Sequence, residues 1–303
     1  MKKRIFICLL LVAFIFSLPS CFGKSKINVS SASGHLGSLG NDNSSFSIRF
    51  IDVGQGDSAL VECDGHYMLI DGGPPSASET VRKVLSDSNV AKLDILAISH
   101  LHEDHFGGLI GSLSALYRKE IDLTISNLDY INLGSFSKFE HELKEMCPFI
   151  TIPYEGAKYP LGSATVEVVD AQNKEHNDSL VLLITYKKNK FLFTGDIQDN
   201  AIKRLSQKYG GYSNKEYKVN LIKMPHHGAY YESLYVFLRT FMPDYAVISV
   251  GKGNQYSHPH SDTLKEWSNY ERQYNNVKCY RTDENGDIIV KSNGHKLTVE
   301  TSR

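Results

Sequence analysis

Cysteine is scarce in this sequence and widely scattered. Five cysteines in 303 residues, at Cys8, Cys21, Cys63, Cys147 and Cys279, contain no CxxC pair, which excludes a disulfide framework and a thiolate zinc site. Net charge is also missing: the formal value is −1, and removing residues 1–20, with Lys2, Lys3 and Arg4 and no acid, takes it to −4. Such a chain has no global field for polyanions, so any nucleic-acid contact must be local. There is no tandem repeat and no second linker after residue 45. No G-x-S-x-G elbow offers a serine nucleophile. The one long apolar run, Ile5 to Leu18, is too short for a comfortable membrane span.

That run follows three basic residues and ends at Leu18-Pro19-Ser20-Cys21, which reads as a secretory signal peptide over residues 1–20. The end of it resembles a bacterial lipobox, implying a lipid anchor on Cys21; ordinary secretion or periplasmic release is the alternative. Residues 21–45, rich in Ser, Gly and Asn, read as a flexible tether with a reach of roughly 25 Å. Residues 46–303 then form one large domain, since about 250 residues suit a single core.

At the start of that domain, Ser45–Val53, Ser58–Asp64 and His66–Gly73 read as successive strands. Further strands are expected at Lys92–His100, Asp122–Asn127, Ala164–Asp170, Ser179–Tyr186, Lys190–Asp196, Val219–Pro225, Asp244–Gly251 and in the last thirty or so residues. Helical spacing marks Ser78–Asn89, Gly107–Glu120, Ser137–Met146, Asp199–Tyr209, Ser233–Phe241 and Ser261–Tyr274. Hairpins mixed with strand–helix alternation predict an α+β fold of two mixed sheets flanked by helices.

The chemistry concentrates at Ile98–Leu109, ISHLHEDHFGGL, which crowds three histidines and an aspartate behind an apolar strand. Imidazole nitrogens and carboxylate oxygens suit a divalent, borderline-soft cation such as zinc. His100 and His102, two apart, can point at one ion, while Asp104 and His105 can serve a second. Two ions about 3.5–4 Å apart can hold a bridging hydroxide. Glu103 is expected to be solvated.

The H-x-H-x-D-H run followed by FGGL resembles the signature of the metallo-β-lactamase superfamily. FIDVGQGDSALVECDGHYMLIDGG, HNDSLVLLITYKKNKFLFTGDI, LIKMPHHGAYYES, VISVGKGNQYSHPH and YRTDENGDIIVKSNG closely resemble the hydrolase domain of the competence protein ComEC and its stand-alone relatives. The resemblance implies an αββα sandwich of two mixed sheets with the site along one edge. It implies that Asp71 supports a ligating imidazole from behind and that Asp196 bridges both metals. One histidine of the pair His226 and His227 completes the second site; His226 is taken as the ligand and His227 as the group facing substrate. His176, near the place of the remaining first-site ligand, is a further candidate. His258 and His260 lie on a loop beside the site, where an imidazole can bind a phosphate oxygen or protonate a leaving group. Asn254 and Tyr256 belong to the same block and shape the pocket.

Together these readings predict an exported, two-metal hydrolase using a metal-bridging hydroxide, with zinc the expected metal and manganese the alternative. The substrate is expected to be a phosphodiester, including nucleic acid. An envelope phosphoester such as a choline phosphate is the other candidate, and an inactive binding lipoprotein the reading from another class. The PHHG and SHPH motifs are not those of the antibiotic-degrading members, which argues against β-lactam hydrolysis. The Lys187–Lys190 turn and the basic face of Asp199–Tyr209 offer only local positive charge.

Overall fold

A computed structural model describes residues 45–126, 134–171, 179–210 and 215–303. The expected signal peptide, the lipid-bearing Cys21, most of the tether and His176 lie outside these residues.

The strands are β1 Phe46–Phe50, β2 Ala59–Cys63, β3 His66–Ile70, β4 Leu93–Ile98, β5 Ile121–Ser126, β6 Ile150–Thr151, β7 Lys158–Leu161 and β8 Ala164–Asp170. They continue with β9 Val181–Tyr186, β10 Asn189–Phe193, β11 Leu221–Lys223, β12 Tyr245–Ile248, β13 Lys278–Arg281, β14 Ile288–Ser292 and β15 Leu297–Thr301. The helices are α1 Ser78–Asp87, α2 Glu103–Phe106, α3 Leu109–Ser112, α4 Gly134–Met146, α5 Asp199–Tyr209, α6 Leu234–Phe241, α7 Ser261–Glu271 and α8 Thr282–Asn285.

One sheet has the order β15-β14-β1-β2-β3-β4-β5-β6 and the other β13-β12-β11-β10-β9-β8-β7. Both are mixed. Pairing is antiparallel from β15 to β3 and parallel from β3 to β6; in the second sheet it is parallel from β13 to β10 and antiparallel onward to β7. This is the expected αββα sandwich.

Side-chain alternation explains the layering. In β1, Phe46, Ile48 and Phe50 are buried while Ser47 and Arg49 are half-buried, as a strand with one apolar face requires. Phe46 stacks between Tyr186 and Phe191, at 4.9 and 4.8 Å between ring centroids, which joins the two sheets. The continuous apolar run of β4 is buried on both faces. Ile95 and Ala97 enter the layer between the sheets, while Leu93, Leu96 and Ile98 pack outward with Val81, Val84 and Leu85 of α1. On the far side Ile222 and Ala246 meet Ile202 and Leu205 of α5, Phe237 and Phe241 of α6 and Trp267 of α7.

Two local readings need correction. The helix expected over Gly107–Glu120 is interrupted, because Ile110 is extended and Gly111 takes φ 85°, which ends the regular turn. Strand β7, with Pro160 in it, was not foreseen. It is tolerated because β7 is the sheet edge, where a missing N–H costs no ladder bond.

The fold places the chemistry at one rim. The carboxyl ends of β3 and β4 deliver Asp71 and Ser99–His105, and those of β10, β11 and β12 deliver Asp196, Lys223–His227 and Ser249. Neighbouring parallel strands leave a crevice where the following loops diverge, the usual place for a site on such a sheet.

Candidate metal centre

His100 ends the loop that leaves β4, His102 caps α2, and Asp104 and His105 lie within that single turn. Its tightness brings residues adjacent in sequence to different sides of one point. The His100 ring lies 4.4 Å from that of His102 and 4.1 Å from that of His105. Glu103 is exposed, as expected.

Asp196 faces this turn from the opposite sheet. Its Oδ2 is 3.1 Å from His105 Nε2, 3.3 Å from His227 Nε2, 3.7 Å from His226 Nε2 and 4.0 Å from His100 Nε2. Oδ2 of Asp104 is 3.2 Å from His227 Nε2. Ligand atoms of Asp104, His105, Asp196 and His227 all lie within 4.8 Å of one another.

The outer hydrogen bonds set the tautomers. Nδ1 of His105 lies 2.9 Å from Oδ2 of Asp71, and Nδ1 of His227 lies 3.0 Å from the Ser249 carbonyl, so both rings donate from Nδ1. The Ser99 hydroxyl donates to Asp71 at 2.7 Å, which leaves it to accept from His100 Nδ1 at 3.1 Å. All three imidazoles therefore turn Nε2 inward. Outward donation of this kind fixes and enriches a metal-binding nitrogen.

The inner atoms are only partly satisfied. His227 Nε2 pairs with Asp104 Oδ2, but the buried His100 Nε2 and His105 Nε2 have no aligned hydrogen bond although the Asp196 carboxylate stands close. Imidazole nitrogens gathered around one carboxylate oxygen are what a cation needs. The charge state agrees. Burial opposes a charge on His105, but Asp196 and Asp71 outweigh it and hold the ring's pKa up at about 10. Burial likewise disfavours the charged forms of Asp196 and His227. Yet His105 and His227 hold the Asp196 carboxyl well below its ordinary range, and Asp196 and Asp57 raise His227 well above its own. Protons here stand where a cation fits.

Both rings of the PHHG pair stand by Asp196, but in different places. His227 is buried in the four-residue group, whereas His226 sits at the open side, with its Nδ1 2.6 Å from the Tyr231 hydroxyl. The reason is the backbone. His226 and His227 both adopt left-handed angles, at φ 46° and 53°, which throws successive rings to different sides. Gly228 follows at φ 83°, and a Cβ there would meet Pro259 Cβ at 2.6 Å, so glycine lets the SHPH loop close against the site.

On that loop the two histidines differ. His260 accepts the Tyr230 N–H through Nδ1 at 3.1 Å and approaches the Tyr256 carbonyl through Nε2 at 3.3 Å, so it ties two loops together. His258 is placed through its backbone by Asn254, leaves Nδ1 without a partner, and has its ring 5.5 Å from that of His226. Burial, then the neighbouring histidines, pushes its pKa down to about 4, so it is neutral. Exposed Tyr256 flanks it at 5.8 Å.

Two charged residues at this centre were missed. Asp57 and Lys223 are 6% and 3% exposed and form an ion pair directly behind the imidazoles. The available signal was Lys223 itself, a charge inside the apolar run Val219–Met224, since lysine is almost never fully buried without a partner.

A family model described as Anti-Pycsar protein Apyc1 matches residues 49–237. The chain belongs to the Anti-Pycsar protein Apyc1 family. The Apyc1-family chain is also similar to competence protein ComA of Neisseria gonorrhoeae, 28% identical over 239 residues that cover 78% of this chain and 31% of that protein. It is similar to ComE operon protein 3 of Bacillus subtilis (strain 168), 24% identical over 263 residues that cover 80% of this chain and 32% of that one. The chain thus spans about a third of the length of the curated relatives it matches.

Solved structures agree on the fold. The metallo-β-lactamase fold protein YhfI from Bacillus subtilis covers 82% of this chain and all of its own, with TM-score 0.54 and 11% identity. Igni18, a metallo hydrolase from Ignicoccus hospitalis, covers 85% of this chain with TM-score 0.51 and 15% identity. These structures share the fold of this chain, and its clustered His and Asp residues could hold metal ions.

Proposed function

We propose that this Apyc1-family chain is a phosphodiesterase with a two-cation centre. The observation that carries the reading is the convergence of Asp104, His105, Asp196 and His227 on one point, with His100 and His226 around the same Asp196 oxygen. In this reading His100, His102 and His226 hold one ion, Asp104, His105 and His227 hold the other, and Asp196 serves both. Bound divalent cations, zinc or manganese, supply Lewis acidity and a nucleophile drawn from water near neutral pH.

The chain's own residues do the rest. Asp71 fixes the His105 ring, the Ser249 carbonyl fixes His227, and Tyr231 fixes His226. His258 stands beside His226 with its ring neutral, suited to hold a phosphate oxygen by hydrogen bonding. His260, engaged through both nitrogens, holds the loop that carries it.

A small phosphodiester is favoured over a long strand, because the cations of α5, the basic helix face the sequence offers, are already paired. Lys203 meets Asp199 at 2.6 Å, Arg204 meets Asp170 at 2.5 Å, and Lys208 pairs with Glu155. Paired surface charges leave little counterion release for nucleic acid to gain. We further propose that the chain is exported and anchored through Cys21; a Cys21→Ser variant released into the soluble fraction supports this, and an equally membrane-bound variant refutes it.

The deciding experiment measures metal content and then bis(p-nitrophenyl) phosphate turnover with and without chelator. A dinucleotide, single-stranded DNA and a phosphocholine ester are then compared. Turnover that ignores the chelator, or no hydrolysis of any of these phosphodiesters, sinks the proposal; single-stranded DNA as the preferred substrate overturns the small-substrate part.

A further inference from the structure

A lysine lies at the bottom of the centre, and the chemistry assigned so far leaves it without work. Lys223 ends β11, two residues before the PHHG turn begins to bend, and its side chain is 4% exposed. Its ammonium meets a carboxylate oxygen of Asp57, donates to the Gly195 carbonyl at 3.1 Å and lies 3.7 Å from Oδ1 of Asp196. Asp57 arrives from the loop after β1. Its Oδ2 faces Lys223, and its Oδ1 lies 3.3 Å from His227 Nδ1.

The pair therefore reaches two members of the four-residue group from behind, one through each partner. It also fills a place that would otherwise invite a cation. Asp57, Asp71 and His105 bring ligand atoms within 4.8 Å of one another, and the Lys223 ammonium occupies the Asp57 side of that trio.

The geometry points to Lys223, held by Asp57, as a positioning residue whose charge stands 3.7 Å from Oδ1 of Asp196 and keeps Oδ2 turned toward the imidazoles. The asymmetry of Asp196 is the evidence. All four imidazole nitrogens near it approach Oδ2, at 3.1 to 4.0 Å, while Oδ1 faces the ammonium. A carboxylate free to rotate could offer one oxygen to each cation. Fixed this way it would keep Oδ2, the oxygen all four imidazoles approach, available to a bound cation.

A purely structural ion pair is a poor alternative. Burying two charges costs several kcal/mol each, and well-packed apolar residues often do as well or better in such places. The pair lies beneath the one rim where the parallel strands of both sheets converge, and both partners touch the centre.

The inference rests on the two-cation reading, and the experiment separates the two. Lys223→Met leaves Asp57 charged and unpaired and can misfold. The informative chain is therefore the double variant Asp57→Asn/Lys223→Met, which removes both charges at nearly constant shape, with Asp57→Asn alone as a second variant. Wild-type and variants are loaded with Co²⁺ and Zn²⁺. Thermal unfolding, metal stoichiometry by competition with a chelator, the Co²⁺ d–d absorption, and kcat and KM for bis(p-nitrophenyl) phosphate are recorded.

The expected result is a folded double variant whose weaker ion is bound ~10–100-fold less tightly, the usual effect of losing such outer support. Its Co²⁺ bands shift, and kcat falls with KM nearly constant. Asp57→Asn shifts in the same direction by less. A double variant that folds and matches wild type in Co²⁺ spectrum, ion affinity and kcat overturns the positioning role and leaves the cation reading intact. If the double variant fails to fold, unchanged spectra and affinity in Asp57→Asn overturn it. A wild-type chain that binds no ion overturns the parent reading instead.

Discussion

Replacing Asp196 by Asn tests the centre at the group its imidazoles share. In the native chain four Nε2 atoms stand 3.1 to 4.0 Å from Asp196 Oδ2. Asparagine keeps the shape but is neutral, and its nitrogen donates where a carboxylate oxygen accepts. The fold should survive, because Asp196 is held through its backbone N–H, which donates to Ser179 Oγ at 2.9 Å. The effect belongs to the cation. An ion at about 1,000 times its dissociation constant stabilises the folded chain by ~4 kcal/mol. For a domain of this size that is ~8–16 °C in unfolding temperature. If the substitution weakens binding ~100-fold, ~2.7 kcal/mol of this disappears, and the metal-induced shift shrinks to ~3–6 °C. Turnover should fall ~10³-fold, equivalent to ~4 kcal/mol in the barrier. Thermal unfolding with and without Zn²⁺, metal analysis and turnover of bis(p-nitrophenyl) phosphate read all three. An Asn variant with undiminished metal content, an unchanged shift and turnover within tenfold of wild type would refute the shared role.

His227→Ala should remove one ion and ~10²–10³-fold of activity, whereas His226→Ala should weaken the more open side without emptying the buried one; metal analysis ranks them, and the reverse order contradicts the placement of the two rings. His258→Ala should raise KM for bis(p-nitrophenyl) phosphate with kcat and metal content nearly unchanged, and a fall in kcat at constant KM would contradict a substrate-holding role. In the metal-free chain the His105 pKa is raised from 6.5 to about 10. Its contribution to stability is thus full below about 6.5 and is lost as pH rises through about 10; denaturant midpoints across that range check the sign. The same proton must leave when a cation takes Nε2, so Zn²⁺ uptake at pH 8 should release protons into a weakly buffered dye, and no release would place the ion elsewhere.

The linear chain was enough to determine the materials and the frame. The alternation of Phe46, Ile48 and Phe50, the both-sided burial of Leu93–Ile98 and the helical spacing of Val81, Val84 and Leu85 follow from local periodicity, and the αββα layering follows from their order. His100, His102, Asp104 and His105 were legible because four ligand types in one turn act within a few residues of each other. Tertiary structure alone decided the rest. The family resemblance named Asp196 and the PHHG pair, but only the closed sandwich brings them from the opposite sheet against the turn, and which ring of His226 and His227 turns inward depends on two left-handed residues that no propensity predicts. The Asp57–Lys223 pair joins positions 166 residues apart in sequence, where only strand order brings a loop after β1 against the end of β11. Periodicity is a property of neighbours along the chain. A cation site is a property of distances across it, and those exist only once the two sheets have closed on one another.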